Sequence, residues 1–244
     1  MDPTFRLFPQ QASQGAAEVD HLMLFMVGIS VFFSLLIFGL IACFALRYRR
    51  RSPDERPAHI PGNVALEITW TIIPVMLTVV MFIWGAKVFL NAHRPPDSAM
   101  EIFVIGKQWM WKIQHPEGRR EINMLHVPLG KPVKLVLTSQ DVIHDFSIPA
   151  FRVKQDVLPG MYTTEWFVPT RLGEYHLFCD QYCGAKHGEM AGTVVVCEPA
   201  DYERWLAGDL SAEPPALAGK KLFTLYDCTA GRWMSLTNMA SAER

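Results

Sequence analysis

The chain has 244 residues and a formal net charge of −1, and half of its residues are hydrophobic. This length accommodates one large domain or two small ones. A charge balance so close to neutral gives no indication of a nucleic-acid-binding surface. The hydrophobic residues are unevenly spread, so that two strongly apolar blocks near the N-terminus precede a region of mixed composition.

Two apolar blocks predict membrane-spanning helices. Residues 22–46 contain no charged side chain, and residues 68–90 contain only Lys87. A helix of about 20 apolar residues is long enough to cross a bilayer. A signal peptide is the alternative for the first block. That block is too long for the apolar part of a signal peptide, and a mostly polar segment precedes it.

The loop between the two predicted spans indicates their orientation. It is rich in arginine, whereas the segment before the first span carries only Arg6. Loops that gather lysine and arginine remain on the cytoplasmic side. We therefore expect the N-terminus and everything after the second span to lie outside. The loop arginines are Arg47, Arg49, Arg50, Arg51 and Arg56.

After Pro95 the hydrophobic pattern changes from helical to alternating. Many short β-rich runs separated by turn residues predict an all-β Greek-key sandwich. A short amphipathic helix is predicted at residues 199–208, followed by a linker rich in proline and alanine. The β-rich runs lie at residues 101–106, 108–113, 122–127, 132–139, 163–169, 174–179 and 192–198.

These patterns divide the chain into four regions. An external N-terminal segment comes first, and a two-helix transmembrane hairpin follows it. A β-sandwich comes next, and a C-terminal region with a helix, a linker and a tail closes the chain. In order, the four regions are residues 1–21, 22–94, 95–200 and 201–244.

The segment HLFCDQYCGAKHGEM (176–190) concentrates metal-binding side chains. Cys179, Cys183, His187 and Met190 follow one another at intervals of four, four and three residues. A disulfide between the cysteines would leave the histidine and the methionine unexplained. Zinc binds thiolates and imidazoles, but a thioether is a poor ligand for it, whereas soft sulfur ligands favour copper. The sequence therefore favours a copper site over these two alternatives.

A second histidine is expected from a distant loop, because Greek-key sandwiches bring such loops together at one end. The candidate is His144, in SQDVIHDFSIP. Two thiolates can bridge a pair of copper ions, so that each ion takes one imidazole and one weak axial group. His176 is a weaker candidate, because alternation along a strand points it away from Cys179. His115, His126, His21 and His59 are weaker candidates.

The spacing His…Cys-x3-Cys-x3-His-x2-Met resembles the binuclear CuA site of cytochrome c oxidase subunit II. The similarity extends to LEITWTIIP (66–74), which is similar to the second-span signature of that family. GKQWMWKI (106–113) resembles the family's aromatic strand. The resemblance covers roughly residues 15–200. It implies the family's architecture, which is two transmembrane helices followed by an outer cupredoxin domain.

The resemblance implies a role in respiration. Subunit II takes electrons from cytochrome c, or from a fused or tethered cytochrome, at the copper pair. It passes them to haem in subunit I, where oxygen is reduced and protons are pumped. Subunit III and the lipid bilayer are further expected partners. The implied location is a bacterial cytoplasmic membrane with the copper domain on the periplasmic side, rather than the mitochondrial inner membrane.

Residue roles carry over only where the motif matches. Trp109 is implied as the point at which the electron enters, although Met110 stands where the family usually has tyrosine. Glu67 matches an acidic residue near the mouth of a proton-uptake route. The implied copper ligands are His144, Cys179, the backbone carbonyl of Gln181, Cys183, His187 and Met190.

Besides Met110, two further features depart from the family pattern. Many members carry glutamate where this chain has Gln181, and that carboxylate binds a magnesium ion shared with subunit I. A neutral amide is a weaker ligand for a hard cation, which counts against magnesium binding here. GKKLFTLYDCTAGRW (219–233) resembles the start of a cytochrome c domain. Covalent haem attachment needs Cys-x-x-Cys-His, and Cys228 lacks these partners, so we expect no haem on this chain.

A membrane-tethered copper carrier or chaperone is the alternative function. It would use the same ligands to store or deliver metal. The aromatic strand with Trp109 and the second-span segment around Glu67 favour the oxidase subunit, because a carrier needs neither.

Overall fold

The computed structural model describes residues 8–56, 59 and 61–207. Helix α1 spans Ala16–Arg47 and helix α2 spans Val64–Ala92. Both are long and apolar enough to cross a membrane, and they extend beyond the predicted spans 22–46 and 68–90 at each end. The side chain of Asn63 caps α2 by accepting a hydrogen bond from the Leu66 amide at 3.2 Å. The two predicted spans are thus confirmed as helices.

Within the described part of the chain, ten strands follow the helices and form two five-stranded sheets. One sheet has the order β3-β2-β1-β5-β8 and the other has the order β4-β10-β9-β6-β7. The pairs β1–β5 and β4–β10 are parallel. The strands are β1 Met100–Lys107, β2 Met110–Gln114, β3 Arg120–Ile122, β4 Met124–Pro128, β5 Val133–Ser139, β6 His144–Ile148, β7 Val153–Val157, β8 Thr163–Phe167, β9 Gly173–Cys179 and β10 Ala191–Cys197.

The core lies between the two sheets. Alternate residues of each central strand face it, as the period of a β-strand requires. Ile102 and Val104 of β1 and Leu135 and Leu137 of β5 are fully buried on one side. Large aromatic rings fill the space between the sheets. They belong to Trp111, Phe146, Phe151 and Phe167. The predicted all-β cupredoxin-like sandwich is therefore confirmed.

Three local features differ from the sequence prediction. Strands β6 and β7 were not predicted as strands. Gln108 and Trp109 lie in the turn between β1 and β2 rather than inside a strand. The predicted strand 122–127 is divided by Asn123, whose φ of 57° lies in the left-handed region, where asparagine is enriched. The chain changes sheets at this residue.

The segment before α1 is bound to the sandwich. Ser13 forms a β-bridge with Pro169, and the Ala12 amide donates to the Ala150 carbonyl at 2.9 Å. Asp20 of α1 forms an ion pair with Arg152, at 2.8 Å between Oδ1 and Nε. These contacts hold the first helix against the base of the sandwich.

Helix α3, Pro199–Leu206, belongs to a separate unit that begins at Pro199. The rings of Tyr202 and Trp205 stack within it, with centroids 5.7 Å apart. The predicted helix at 199–208 is confirmed over these residues. The linker, the tail and Cys228 lie outside the described residues, so the expected absence of haem remains a prediction.

One buried side chain in the sandwich is poorly accommodated. Glu165 of β8 is almost fully buried, opposite Leu135 of β5. Neither of its carboxylate oxygens has a hydrogen-bond partner among the described residues. Burial, reinforced by the charge of Asp145, raises the pKa of Glu165 well above its usual value. Glu165 is therefore expected to reduce the stability of the sandwich when it ionises.

Replacing Glu165 by leucine is expected to stabilise the protein. The substitution removes an unsatisfied buried group, whose cost is about 1–3 kcal/mol. In the folded state the Glu165 carboxyl keeps its proton at pH values where the same carboxyl in the unfolded state, with its ordinary pKa of 4.5, has lost it. The stability of the native protein therefore falls as the pH rises past that value, and the advantage of leucine should be larger at pH 8 than at pH 5.

The measurement is thermal unfolding of the full chain in detergent at both pH values. Glu174→Leu is the matched control, because Glu174 is exposed on β9. The control should change the free energy of unfolding by less than about 0.5 kcal/mol. A Glu165→Leu protein that is less stable, or whose advantage does not depend on pH, would contradict the prediction.

Candidate metal centre

Four side chains from the predicted loop converge with His144. The sulfur atoms of Cys179 and Cys183 lie 3.8 Å apart, and both cysteines are free. Nδ1 of His144 lies 3.9 Å from the Cys179 sulfur, and Nδ1 of His187 lies 3.6 Å from the Cys183 sulfur. The Met190 sulfur is 3.8 Å from that of Cys183. The two thiols therefore lie side by side with one imidazole at each end.

Each thiol also has one weaker donor nearby. The Met190 thioether lies beside Cys183, and the backbone carbonyl of Gln181 lies 3.3 Å from the Cys179 sulfur. His144, Cys179 and Cys183 offer ligand atoms within 4.8 Å of one another, and all three residues are buried. Thiolate, thioether and imidazole are the donors that copper prefers. The residues present therefore fit a copper site.

Strand pairing brings these residues together. In the antiparallel pair β6–β9, Phe146 lies opposite Cys179, which places the start of β6 next to the end of β9. The Asp180 amide then donates to the Asp145 carbonyl at 3.2 Å, and the Cys179 amide donates to the Met190 carbonyl at 3.2 Å. The loop between β9 and β10 is thus closed at its base.

The imidazole of His144 is held in one orientation. Its Nε2 lies 2.8 Å from Oδ1 of Asp141, which leaves Nδ1 facing Cys179. The edge of Trp111 packs against the ring, with centroids 5.8 Å apart. A hydrogen bond of this kind on the second nitrogen of a ligating histidine sets its tautomer. His144 is therefore prepared to offer Nδ1 to a metal.

Gln108 connects this histidine to the cysteine loop. Its backbone amide donates to Oδ2 of Asp141 at 2.7 Å. Its side-chain amide donates to the Cys183 carbonyl, also at 2.7 Å. Sequence reasoning did not identify Asp141 or Gln108. The one available signal was the position of Asp141 three residues before His144, where an aspartate turns the chain by bonding to the Val142 amide.

The two thiols differ in acidity. Burial disfavours the thiolate of Cys179, but His144 and the amide of Asp145 outweigh burial and lower its pKa to about 7. Burial and the neighbouring charge of Cys179 raise the pKa of Cys183 to about 12. Only one proton is therefore lost easily without a metal. A cation between the sulfurs would favour loss of the second, because metal binding displaces thiol protons.

The imidazole of His144 also responds to its neighbours. Burial alone disfavours its charged form, but Cys179 and Asp141 together raise the pKa of His144. Hydrogen bonds from the Gln108 amide and His144 outweigh burial and lower the pKa of Asp141. Asp141 therefore remains ionised and supports the ring electrostatically.

Trp109 lies against the cysteine loop. Its indole is partly buried, and a side-chain carbon placed on Gly184 would lie 3.4 Å from its Cζ2. Gly184 directly follows Cys183 and has a φ of +123°, which favours glycine. The indole is thus in close contact with the backbone that carries one of the thiols.

Glu67 is far from this site. It lies in the first turn of α2, at the end of the helix away from the sandwich. At 1.5 Å per residue, about 38 Å of helix separate it from Ala92. The structure therefore brings together six of the predicted site residues, places Trp109 beside them and leaves Glu67 apart.

The other histidines lie elsewhere. His176 is exposed and stacks on Phe178, on the face of β9 opposite Cys179, as alternation predicted. Nε2 of His115 lies 2.7 Å from Oε1 of Glu121, and Nδ1 of His126 lies 2.6 Å from Oε2 of the same carboxylate. His21 lies within α1, and His59 lies between the two helices.

Comparison with known proteins gives consistent results. The chain matches the family descriptions "Cytochrome C oxidase subunit II, periplasmic domain" over residues 119–197 and "Cytochrome C oxidase subunit II, transmembrane domain" over residues 3–88. Cytochrome c oxidase subunit 2 of Thermostichus vulcanus is 31% identical over 253 residues, covering 82% of this chain and 77% of that protein. The alternative cytochrome c oxidase subunit 2 of Bradyrhizobium diazoefficiens is 30% identical over 207 residues, covering 72% of this chain and 74% of that protein.

A solved structure is also similar. The periplasmic domain of subunit II of cytochrome oxidase from Bradyrhizobium japonicum is 28% identical in sequence. The match covers 47% of this chain and 96% of that domain, with a TM-score of 0.46.

The fold and the ligand set define a membrane-anchored cupredoxin-like protein with a candidate site for a soft metal. The matched families and relatives specify which protein of this class it is. The chain belongs to the cytochrome c oxidase subunit II family. It is therefore a membrane subunit of a haem-copper oxidase, which is an oxidoreductase, and it assembles with other oxidase subunits.

Asp141→Asn is expected to weaken copper binding without unfolding the sandwich. The substitution removes the charge that supports His144, and changes in such supporting residues reduce metal affinity about 10- to 100-fold. Competition with a copper chelator measures the affinity. Asp156→Asn is the control, since Asp156 is exposed on β7. Equal affinities for Asp141→Asn and the unmodified protein would show that Asp141 does not support the site.

Proposed function

We propose that this subunit receives electrons one at a time from cytochrome c at a binuclear CuA centre. It passes them to haem in subunit I, where oxygen reduction is coupled to proton pumping. The observation that carries this proposal is the pair of thiols 3.8 Å apart, with one imidazole beside each. When bound there, a copper pair would supply a one-electron redox centre.

The protein residues suit an electron carrier because they resist movement. His144, Met190 and Cys183 are at most 2% exposed, and the Asp141 and Gln108 hydrogen bonds hold the surrounding loops. Groups that are already in position need little rearrangement when the charge changes. A copper carrier or chaperone instead needs ligands that other proteins can reach. The burial of these ligands therefore favours the electron carrier.

Electron input is proposed to run through Trp109. Its indole lies against the Gly184 backbone next to Cys183, which gives a short route from the aromatic ring to a thiol. Cytochrome c, soluble or tethered, is the proposed donor. Glu67 is proposed only as part of a proton-uptake route in the complex, on the basis of its place at the opposite end of α2.

The arginine-rich loop supports the proposed orientation. Arg47 ends α1, and Arg49, Arg50, Arg51 and Arg56 lie between the two helices. Loops rich in arginine remain cytoplasmic. The sandwich would then lie on the periplasmic side of a bacterial cytoplasmic membrane. Subunit I, and subunit III with it, would cover part of the apolar helix surfaces that α1 and α2 leave exposed.

The side chain of Gln181 is proposed to leave magnesium unbound. Gln181 is exposed, and a side-chain amide is a weaker ligand for a hard cation than a carboxylate is. The backbone carbonyl is unaffected by this difference and remains available beside Cys179.

Cys179→Ser and Cys183→Ser are each expected to abolish the paired-copper spectrum, because a hydroxyl does not bridge two soft ions. Copper analysis and electron paramagnetic resonance of the purified full chain measure the effect. The copper content should fall from two ions per chain to one or none. Cys197→Ser is the control, since Cys197 lies on β10 away from the site. An unchanged spectrum in either site variant would refute the bridging role.

Trp109→Phe is expected to slow electron uptake from reduced cytochrome c by about tenfold, or about 1.4 kcal/mol. The copper spectrum should be unchanged, because the indole contacts the loop backbone and is not a ligand. Stopped-flow absorbance of the assembled oxidase measures the rate. Trp166→Phe, on β8 and bonded to the Asn91 carbonyl, is the control. An unaltered rate for Trp109→Phe would mean that electrons enter elsewhere.

A further inference from the structure

We propose that Gly106 is a positioning residue for the metal centre, because its bare backbone lets the imidazole of His144 lie directly on strand β1. A side-chain carbon at Gly106 would be 2.9 Å from Cδ2 and 3.3 Å from Cγ of that ring. It would also be 3.2 Å from Cζ3 of Trp111. This inference rests on the copper centre proposed above.

The His144 ring cannot move away from a side-chain carbon at position 106 without losing one of its other contacts. His144 and Trp111 are both fully buried. Nε2 of His144 is bonded to Asp141, Nδ1 faces Cys179, and the edge of Trp111 closes another side. Protein interiors are close-packed, so a displacement in one direction is transmitted to the neighbours. A methyl group at Gly106 would therefore move the donor nitrogen.

The glycine is used for its size and not for its backbone freedom. Gly106 lies within regular β1, opposite Trp111 of β2 and Ser139 of β5. Its φ does not lie in the left-handed region. Glycine weakens the interior of a strand, and it often marks a close approach of another group. Here that group is the imidazole of the proposed copper ligand.

The two imidazoles of the site are therefore held differently. His187 is only partly buried. The exposed ring of Tyr182 lies edge-on to its imidazole, with ring centroids 5.8 Å apart. His144 is enclosed by β1, Trp111, Asp141 and the cysteine loop. His144 is consequently the more rigidly held of the two imidazoles, and it packs directly on the backbone of Gly106.

The test is Gly106→Ala in the full chain, loaded with copper. We expect about 10- to 100-fold weaker copper affinity and an altered hyperfine coupling of one imidazole nitrogen in pulsed electron paramagnetic resonance. Gly130→Ala is the structural control. Gly130 lies in the turn between β4 and β5 with a φ of +72°, which alanine adopts only with strain. That control should lower the melting temperature equally with and without copper and leave the imidazole coupling unchanged.

Trp111→Phe provides a second test that does not introduce a clash. It removes the indole edge that confines the ring, so the same imidazole coupling should change even if Gly106→Ala does not fold. Native affinity and coupling in a folded Gly106→Ala protein would overturn the inference, as would native coupling in Trp111→Phe if Gly106→Ala fails to fold. Absence of a paired-copper signal in the unmodified protein would instead overturn the proposed function.

Discussion

The pairing of β6 with β9 is the interaction on which the site depends. It joins the start of one strand to the end of another, so that His144 lies next to Cys179 although 34 residues separate them in sequence. The remaining ligands follow from the closure of a single loop onto β10. A change that shifted this pairing by one residue would turn the two ligands to opposite faces of the sheet.

The enclosure of the ligands depends on hydrogen bonds between loops. Asp141 contacts both His144 and the Gln108 backbone, and Gln108 reaches the Cys183 carbonyl. Three separate stretches of chain are thus connected around one imidazole. Such a network is stabilising only when its buried polar groups are satisfied. Asp141 and Gln108 meet this condition with each other and with His144 and Cys183. Among the described residues, the buried indole nitrogens of Trp109 and Trp111 beside the site, Oδ1 of Asp145 and both carboxylate oxygens of Glu165 have no hydrogen-bond partner.

The sequence predicted those elements whose pattern is local. Long apolar runs are sufficient to identify α1 and α2, and closely spaced ligands identify the cysteine loop. Strand β6 escaped prediction because it is only five residues long and includes Asp145, a residue type that is depleted in strands. Gln108 and Trp109 were predicted to lie in a strand but form a turn. The Gln108 amide there donates a hydrogen bond to the Asp141 carboxylate, 33 residues away in sequence. Non-local contacts of this kind leave no periodic signal.

The attachment of the N-terminal segment has a consequence for the sandwich as an isolated fragment. Residues 12–14 form hydrogen bonds with the chain at residues 150 and 168–170, and Ala12 is completely covered. A soluble piece that started after α2 would lack this strip, leaving backbone groups of the sandwich open to solvent and Arg152 without Asp20. Fusing residues 8–15 to such a piece through a flexible linker would restore the missing edge.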